Sequence, residues 1–174
     1  MAPRRDAVKQ EPDLFYFLQC STVVSPQDEQ WAMRIKEEKY ALLKYIQYVD
    51  YMEKSEKEQR WFSIRPIGED AIRWEGTVTA ENRTYLIEIV LKDSYPYTPP
   101  AARVPELMRY TDRKLDDNIL GLRICDMHME QNYWWNEYCS LALYLKREVS
   151  YWLQSVIFHL KQKGWLEWTK GIND

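Results

Sequence analysis

The residues best suited to nucleophilic chemistry lie in one short stretch, Gly121-Leu122-Arg123-Ile124-Cys125-Asp126-Met127-His128. A cysteine attacks as its thiolate, and an ordinary thiol of pKa ~8.5 is ionised to only a few per cent at neutral pH. Arg123 and His128 would favour ionisation of Cys125 from close by, whereas the Asp126 carboxylate would oppose it. The same residues have a plainer reading. Cysteine often packs as a small buried hydrophobe, and a histidine three positions away can simply close a loop by hydrogen bonding. Cys20 and Cys139 read as buried cysteines of that kind, and His159 reads as a structural residue of a helix. The three cysteines and two histidines lack zinc-site spacing, so no metal is expected. There is also no glycine-rich phosphate loop, and no cofactor is expected.

The elements on either side must position that stretch. Tyr95-Pro96-Tyr97-Thr98-Pro99-Pro100 leads into it. Prolines hold φ and push their preceding residues into extended conformations, so a stiff spur should leave the sheet here. Tyr95-Pro96 is a bond at which either peptide isomer is accessible. Ala102-Arg103-Val104 allows one short strand, and the charged run from Arg109 to Asn118 reads as a long loop that can bring Cys125 to a surface. Trp134-Trp135 closes the segment.

Earlier in the chain, Met1 to Pro12 is polar, charged and aperiodic, which predicts a mobile tail. Leu14-Phe15-Tyr16-Phe17-Leu18 is too short for an independent core and should dock on the body. Ser25-Pro26-Gln27-Asp28 combines a capping serine, proline at the first helical position and an acid two residues later, a pattern that starts helices. Trp31, Ile35, Leu42, Ile46 and Val49 would form the apolar stripe, with Arg34, Lys36, Glu37 and Lys44 facing water or a partner.

From Arg60 the period changes to two, predicting strands over Trp61–Arg65, Ile72–Thr79 and Thr84–Leu91. Tyr85, Ile87, Ile89 and Leu91 should share the buried face of an antiparallel sheet. Turns fall at Gly68-Glu69-Asp70 and Ala80-Glu81-Asn82. A last helix should run from about Ser140 to about Lys163 and stop at Gly164. The order of elements predicts an α+β fold, an antiparallel meander flanked by helices. Residues 1–24 would form an N-terminal extension and 25–174 the domain, a length that needs no disulfides to fold.

A formal net charge of −3 supplies no broad electrostatic footprint for nucleic acid, which is not expected as a partner. An odd number of cysteines suits free thiols in a reducing compartment, hence a cytoplasmic location. No apolar run approaches the ~18 residues of a membrane span. The 8 Trp and 13 Tyr exceed what a domain of this size usually carries, so some rings could anchor partners while others fill the core.

The order and near-equal spacing of several motifs carry a resemblance. They are Arg34-Ile35-Lys36-Glu37-Glu38, Trp61-Phe62, Arg73-Trp74, Tyr95-Pro96, Val104-Pro105-Glu106-Leu107, Ile124-Cys125, His128, Trp134, Trp152-Leu153 and Gln162-Lys163-Gly164. Over roughly Ser25 to Trp168 the chain resembles the ubiquitin-conjugating enzyme superfamily, and within it the conjugating enzymes of ubiquitin-fold modifier 1. The resemblance implies that fold and a thioester on Cys125. It implies as partners the covalently held modifier, its activating enzyme, a ligase and protein substrates, with the enzyme itself a monomer. ATP use would belong to the activating enzyme.

Where that family carries Thr-Ala-Lys in place of the His-Pro-Asn of ordinary relatives, this chain has Thr111-Asp112-Arg113. Asn118, seven positions before Cys125, falls near the place of the His-Pro-Asn asparagine. Thr111, Asn118 or backbone N–H groups near Cys125 could stabilise the developing oxyanion. Asp126 or His128 could take or orient the proton of the incoming lysine amine. The partner surfaces implied are the first long helix with Arg34 and Lys36, Tyr97 on the spur, and Trp134-Trp135-Asn136. Two alternatives stand beside this: a conjugating enzyme for ubiquitin or another ubiquitin-like protein, and a non-catalytic adaptor of the same fold.

Overall fold

Alternation of buried and exposed side chains builds the sheet expected between residues 60 and 91. The computed structural model describes residues 13–53, 60–108, 134–162 and 164. Strands β1 (Phe62–Ile67), β2 (Arg73–Ala80), β3 (Arg83–Val90) and β4 (Ala101–Arg103) pair antiparallel in the order β1-β2-β3-β4. Phe62, Ile64, Trp74, Val78, Tyr85, Ile87 and Ile89 are buried on the inner face. In the outward row, Arg65 lies opposite Glu75, Glu75 opposite Glu88 and Glu88 opposite Arg103.

The turns explain the register. Glu81 and Asn82 both have positive φ, 52° and 68°, as a two-residue type I′ hairpin demands. Gly68 (φ 82°) and Ala71 (φ 50°) reverse the chain between β1 and β2. The Trp74 indole donates to the Ala71 carbonyl at 2.8 Å and the Trp31 indole to that of Asp70 at 2.7 Å, which ties this turn to the first helix.

Gly76 lies on the inner face opposite Ile64 and Ile87. A Cβ added there would stand 1.8 Å from the Ser63 carbonyl oxygen and 2.9 Å from the Ile64 Cα. Both obstacles are backbone, so β1 would have to move. Gly76→Ala is expected to cost about 3 kcal/mol, read as a lower urea midpoint; a midpoint equal to wild type would mean that the two strands are not this close.

A short helix α1 (Leu14–Phe17) docks on the body through Leu14, with Leu18 buried just after it. The long helix α2 spans Trp31–Tyr48 and continues as a π turn over Val49–Glu53. It starts later than the Ser25 cap predicts. Ser25 and Asp28 instead close a turn, Asp28 N–H to Ser25 C=O, while the Asp28 carboxylate accepts the Gln30 N–H at 2.7 Å. That side-chain bond satisfies locally an amide that a helix from Ser25 would have used. Trp31, Ile35, Leu42 and Val49 are buried and Ile46 packs against the core, as the apolar stripe requires.

After β4, a single turn α3 (Pro105–Met108) buries Leu107. Ser140 caps the last helical region, its side chain accepting the Leu143 N–H at 3.2 Å. The region comprises α4 (Leu141–Tyr144), a π segment (Leu145–Val149) and α5 (Ser150–Gln162), and Gly164 ends it at φ 79°. Lys161 pairs with Glu81, joining the end of α5 to the β2–β3 hairpin. Among the described residues no helix is long and apolar enough to cross a membrane.

Candidate active site

Cys125, with Thr111, Asn118, Asp126 and His128, lies outside the described residues. The structure describes the spur, which precedes the Cys125 segment in the chain, and the turn that follows that segment from Trp134.

The spur is a tight turn. Tyr95 N–H donates to Lys92 C=O and Tyr97 N–H to Ser94 C=O, each at 2.8 Å, and the Tyr95–Pro96 peptide is cis. Tyr95, Pro96, Pro99 and Pro100 are buried, while the Tyr97 side chain is 61% exposed.

Arg34 and Glu38 hold the spur and the following turn together, and both are 0% exposed. The Arg34 guanidinium donates to the Glu38 carboxylate at 2.9 Å and to three backbone carbonyls: Thr22 at 2.8 Å, Glu137 at 3.0 Å and Cys139 at 2.8 Å. Glu38 in turn accepts the Tyr95 hydroxyl at 2.5 Å and the Leu141 N–H at 2.8 Å. Four pieces of chain meet here: the irregular segment before α2, α2, the spur and the start of α4. Burial raises the Tyr95 phenol well above its ordinary value, and the Glu38 charge adds to that effect. Burial opposes the Arg34 charge, but Glu38 and Tyr95 outweigh it and the guanidinium is held protonated beyond its ordinary range.

Arg34 is therefore corrected: it does not face water and offers no surface to a partner. Its position explains why, since Trp31, Arg34, Glu38, Ala41 and Tyr45 recur at three and four residues on one helix face, and that face is the buried one. Lys36 is exposed, as expected. Glu37 is half-buried and accepts from the backbone and hydroxyls of Ser21 and Thr22 at 2.7–3.2 Å. Burial works against its charge, yet those bonds prevail and lower its pKa. Lys44 donates to the Phe17 carbonyl at 2.6 Å, tying α1 to α2.

The two tryptophans turn inward. Trp135 donates to the Pro96 carbonyl at 2.9 Å and lies 5.9 Å from the Tyr95 ring, so the exit of the cysteine segment rests on the spur. Trp134 donates to the Glu148 carboxylate at 2.9 Å, beneath the Arg147 guanidinium 4.8 Å from its ring. Both rings are half-buried against the core. The Asn136 side chain accepts the Tyr138 N–H at 2.8 Å and shapes the turn to Cys139. The structure thus brings Tyr97, Trp134, Trp135 and Asn136 into one region around Pro96, away from the solvent face of α2 that carries Lys36.

Three residues of this frame are given no role in the sequence reading: Glu38, quoted there only within a motif, Tyr95 as a hydrogen-bond donor, and Glu148. For Glu38 a signal existed, its spacing from Trp31, Ala41 and Leu42. Glu148 is buried on the π segment, and burial raises its carboxyl to about 7 against the opposing pull of Arg147. The folded protein then keeps this proton up to about pH 7, while the unfolded chain releases it near the ordinary 4.5. Stability must fall as pH rises through that interval, with the loss complete above it. Glu148→Gln, which mimics the protonated carboxyl, is expected to flatten the slope and to add about 1–3 kcal/mol at alkaline pH. Urea unfolding above and below the window checks this; parallel pH profiles for the two proteins would assign the titration elsewhere.

Cys20 is 4% and Cys139 0% exposed. Burial pushes both thiols up, with the Glu38 charge adding to the effect at Cys20. Among the described residues no group of His, Cys, Asp or Glu is arranged to hold a metal ion.

Among curated proteins no significant match to the chain is found. A family model described as ubiquitin-fold modifier-conjugating enzyme 1 matches residues 14–167 of the 174, a span that includes the buried hub, the spur and Cys125. On that match, and on its α+β fold of a four-stranded meander flanked by helices, the chain belongs to the ubiquitin-fold modifier-conjugating enzyme 1 family.

Proposed function

We propose that this chain accepts ubiquitin-fold modifier 1 as a thioester on Cys125 and, with a ligase, transfers it to lysines of target proteins. The observation that supports Cys125 as the carrier is the fate of the other two cysteines: both are closed into the core with thiols pushed up, which disfavours ionisation and access.

In the first step the Cys125 thiolate attacks the carbonyl carbon of the modifier's thioester on the activating enzyme, and that enzyme's thiolate leaves. In the second, a lysine amine attacks the new thioester, an amide bond forms and the Cys125 thiolate departs. Asp126 or His128 takes the amine proton, and Asn118, Thr111 or backbone N–H groups bind the oxyanion. Tyr97, exposed on the spur, and Lys36 on α2 are proposed partner contacts. Trp134, Trp135 and Asn136 serve the surface around Tyr97 from half-buried positions. The free thiols fit a cytoplasmic site of action.

The test is a charging assay with ubiquitin-fold modifier 1, its activating enzyme and ATP on non-reducing gels, beside ubiquitin with its own activating enzyme. A reductant-sensitive adduct with the first modifier is expected. An adduct with ubiquitin alone would make the chain an ordinary ubiquitin-conjugating enzyme. No adduct with either, from folded protein and active upstream enzymes, would make it an adaptor.

A further inference from the structure

Antiparallel pairing places alternate residues of β2, β3 and β4 on the outward face, and near the spur end of the sheet the register brings basic side chains together. Arg73 is opposite Val90, and Val90 opposite Ala101; one row along, Glu88 is opposite Arg103. Lys92 follows β3 by two residues. These residues enclose a cleft of about 290 Å³ lined by Arg73, Glu88, Val90, Lys92, Ala101 and Arg103. Space opens because Ala101 presents only a methyl group beside Val90, while long side chains rise around both.

The charge of the cleft is unbalanced. Glu88 is held by Arg103 at 2.7 Å. Arg73 and Lys92 are exposed, and among the described residues neither has an acidic partner. The further acids around the cleft are Glu75, opposite Glu88 in the adjoining row, and the exposed Asp93, which follows Lys92 in the chain and does not line the cleft. A patch rich in cations on a chain of net charge −3 is a local feature rather than a reflection of composition. Among the described residues β4 is the outermost strand of the sheet, a position suited to receiving an extended segment alongside it.

We propose that this cleft is a docking site for an extended acidic peptide segment of a partner protein. One carboxylate of the segment meets Arg73 and Lys92, with its aliphatic part resting on Val90 and Ala101. A carboxylate-bearing side chain matches both the charge of the rim and the small apolar floor. A nucleic acid would present a long polyanion to a chain that is acidic overall, and the basic rim is too short to offset that repulsion. None of these residues enters the proposed reaction at Cys125, so the site stands or falls separately from it.

The test is an NMR titration of the full chain with a peptide of about eight residues alternating Glu and Val, with a Lys/Val peptide of the same length, inorganic phosphate and a single-stranded oligonucleotide as competitors or controls. Saturable shifts are expected at the amides of Glu88, Val90, Ala101 and Arg103 with the acidic peptide. The double variant Arg73→Glu, Lys92→Glu should weaken binding about tenfold, and added salt should weaken it in the wild type. Both side chains are exposed, so the variant should keep the wild-type amide spectrum elsewhere and, where the chain charges, the same charging rate. Equal binding of the Lys/Val peptide, or unchanged affinity in the double variant, would overturn the proposal. So would mole-for-mole competition by phosphate, which would make the cleft a simple anion site, or preferential binding of the oligonucleotide, which would make it a nucleic-acid surface.

Discussion

Cys125→Ala is expected to abolish the reductant-sensitive adduct with ubiquitin-fold modifier 1, a loss of at least about a hundredfold, since no other side chain would replace the thiolate. Cys125→Ser sharpens the expectation. A serine hydroxyl is a far poorer nucleophile at neutral pH, and any adduct it forms is an oxygen ester that resists thiol reductants. The controls come from the structure. Cys20 is enclosed beside Glu38, and Cys139 is buried in the turn after Trp135, its thiol 3.6 Å from the Asn136 side-chain oxygen and 3.7 Å from the Trp134 carbonyl. With their thiols pushed up, Cys20→Ala and Cys139→Ala should charge at rates near wild type in folded protein. Persistence of the adduct in Cys125→Ala, with its loss in either control, would move the nucleophile.

Arg34→Met should destabilise the fold by about 3–5 kcal/mol, because it leaves the Glu38 carboxylate buried without its counter-charge. It also strips a donor from the carbonyls of Thr22, Glu137 and Cys139. Glu38 would keep the Tyr95 hydroxyl and the Leu141 amide, neither of which carries a positive charge. Pairing the change with Glu38→Gln removes the stranded charge, so the double variant should be more stable than Arg34→Met alone. That non-additivity is the signature of a shared network. Urea midpoints of the two single variants and the double complete the cycle. Additive losses, or a cost below about 1 kcal/mol for Arg34→Met, would mean that the pair is solvated. Because the hub ties the spur to the turn through Glu137, Cys139 and Leu141, charging should weaken in the same variants even well below their unfolding midpoints.

The meander was legible because period-two alternation in Tyr85, Ile87, Ile89 and Leu91 admits only one buried face, and Glu81-Asn82 provides residues for a tight turn. The last helix was legible from Ser140 to Gly164 through its cap and its terminal glycine. The start of α2 was not. Ser25-Pro26-Gln27-Asp28 satisfies the rules for a helix start, but the same Asp28 side chain can bond to the Gln30 amide, and the Trp31 indole is anchored on the β1–β2 turn. Local signals of similar strength competed, and a long-range contact decided between them.

The sequence by itself determined the succession of elements, the buried face of the sheet, the spur and the membership implied by its spaced motifs, since each depends on local periodicity or on residues read in order. Only the tertiary structure decided the direction of the charged and aromatic side chains. Arg34 and Glu38, four apart, look like a surface ion pair; they are buried because the chain around residue 22, Tyr95 and the segment from Glu137 to Leu141 close over that face of α2. Trp134 and Trp135 turn inward because Glu148 and the Pro96 carbonyl, distant in sequence, offer acceptors there. Spacing puts Arg34 and Glu38 on the face of α2 that carries Trp31, Ala41 and Tyr45, but which distant segments pack over that face, and so which groups meet each side chain, is decided by the fold alone.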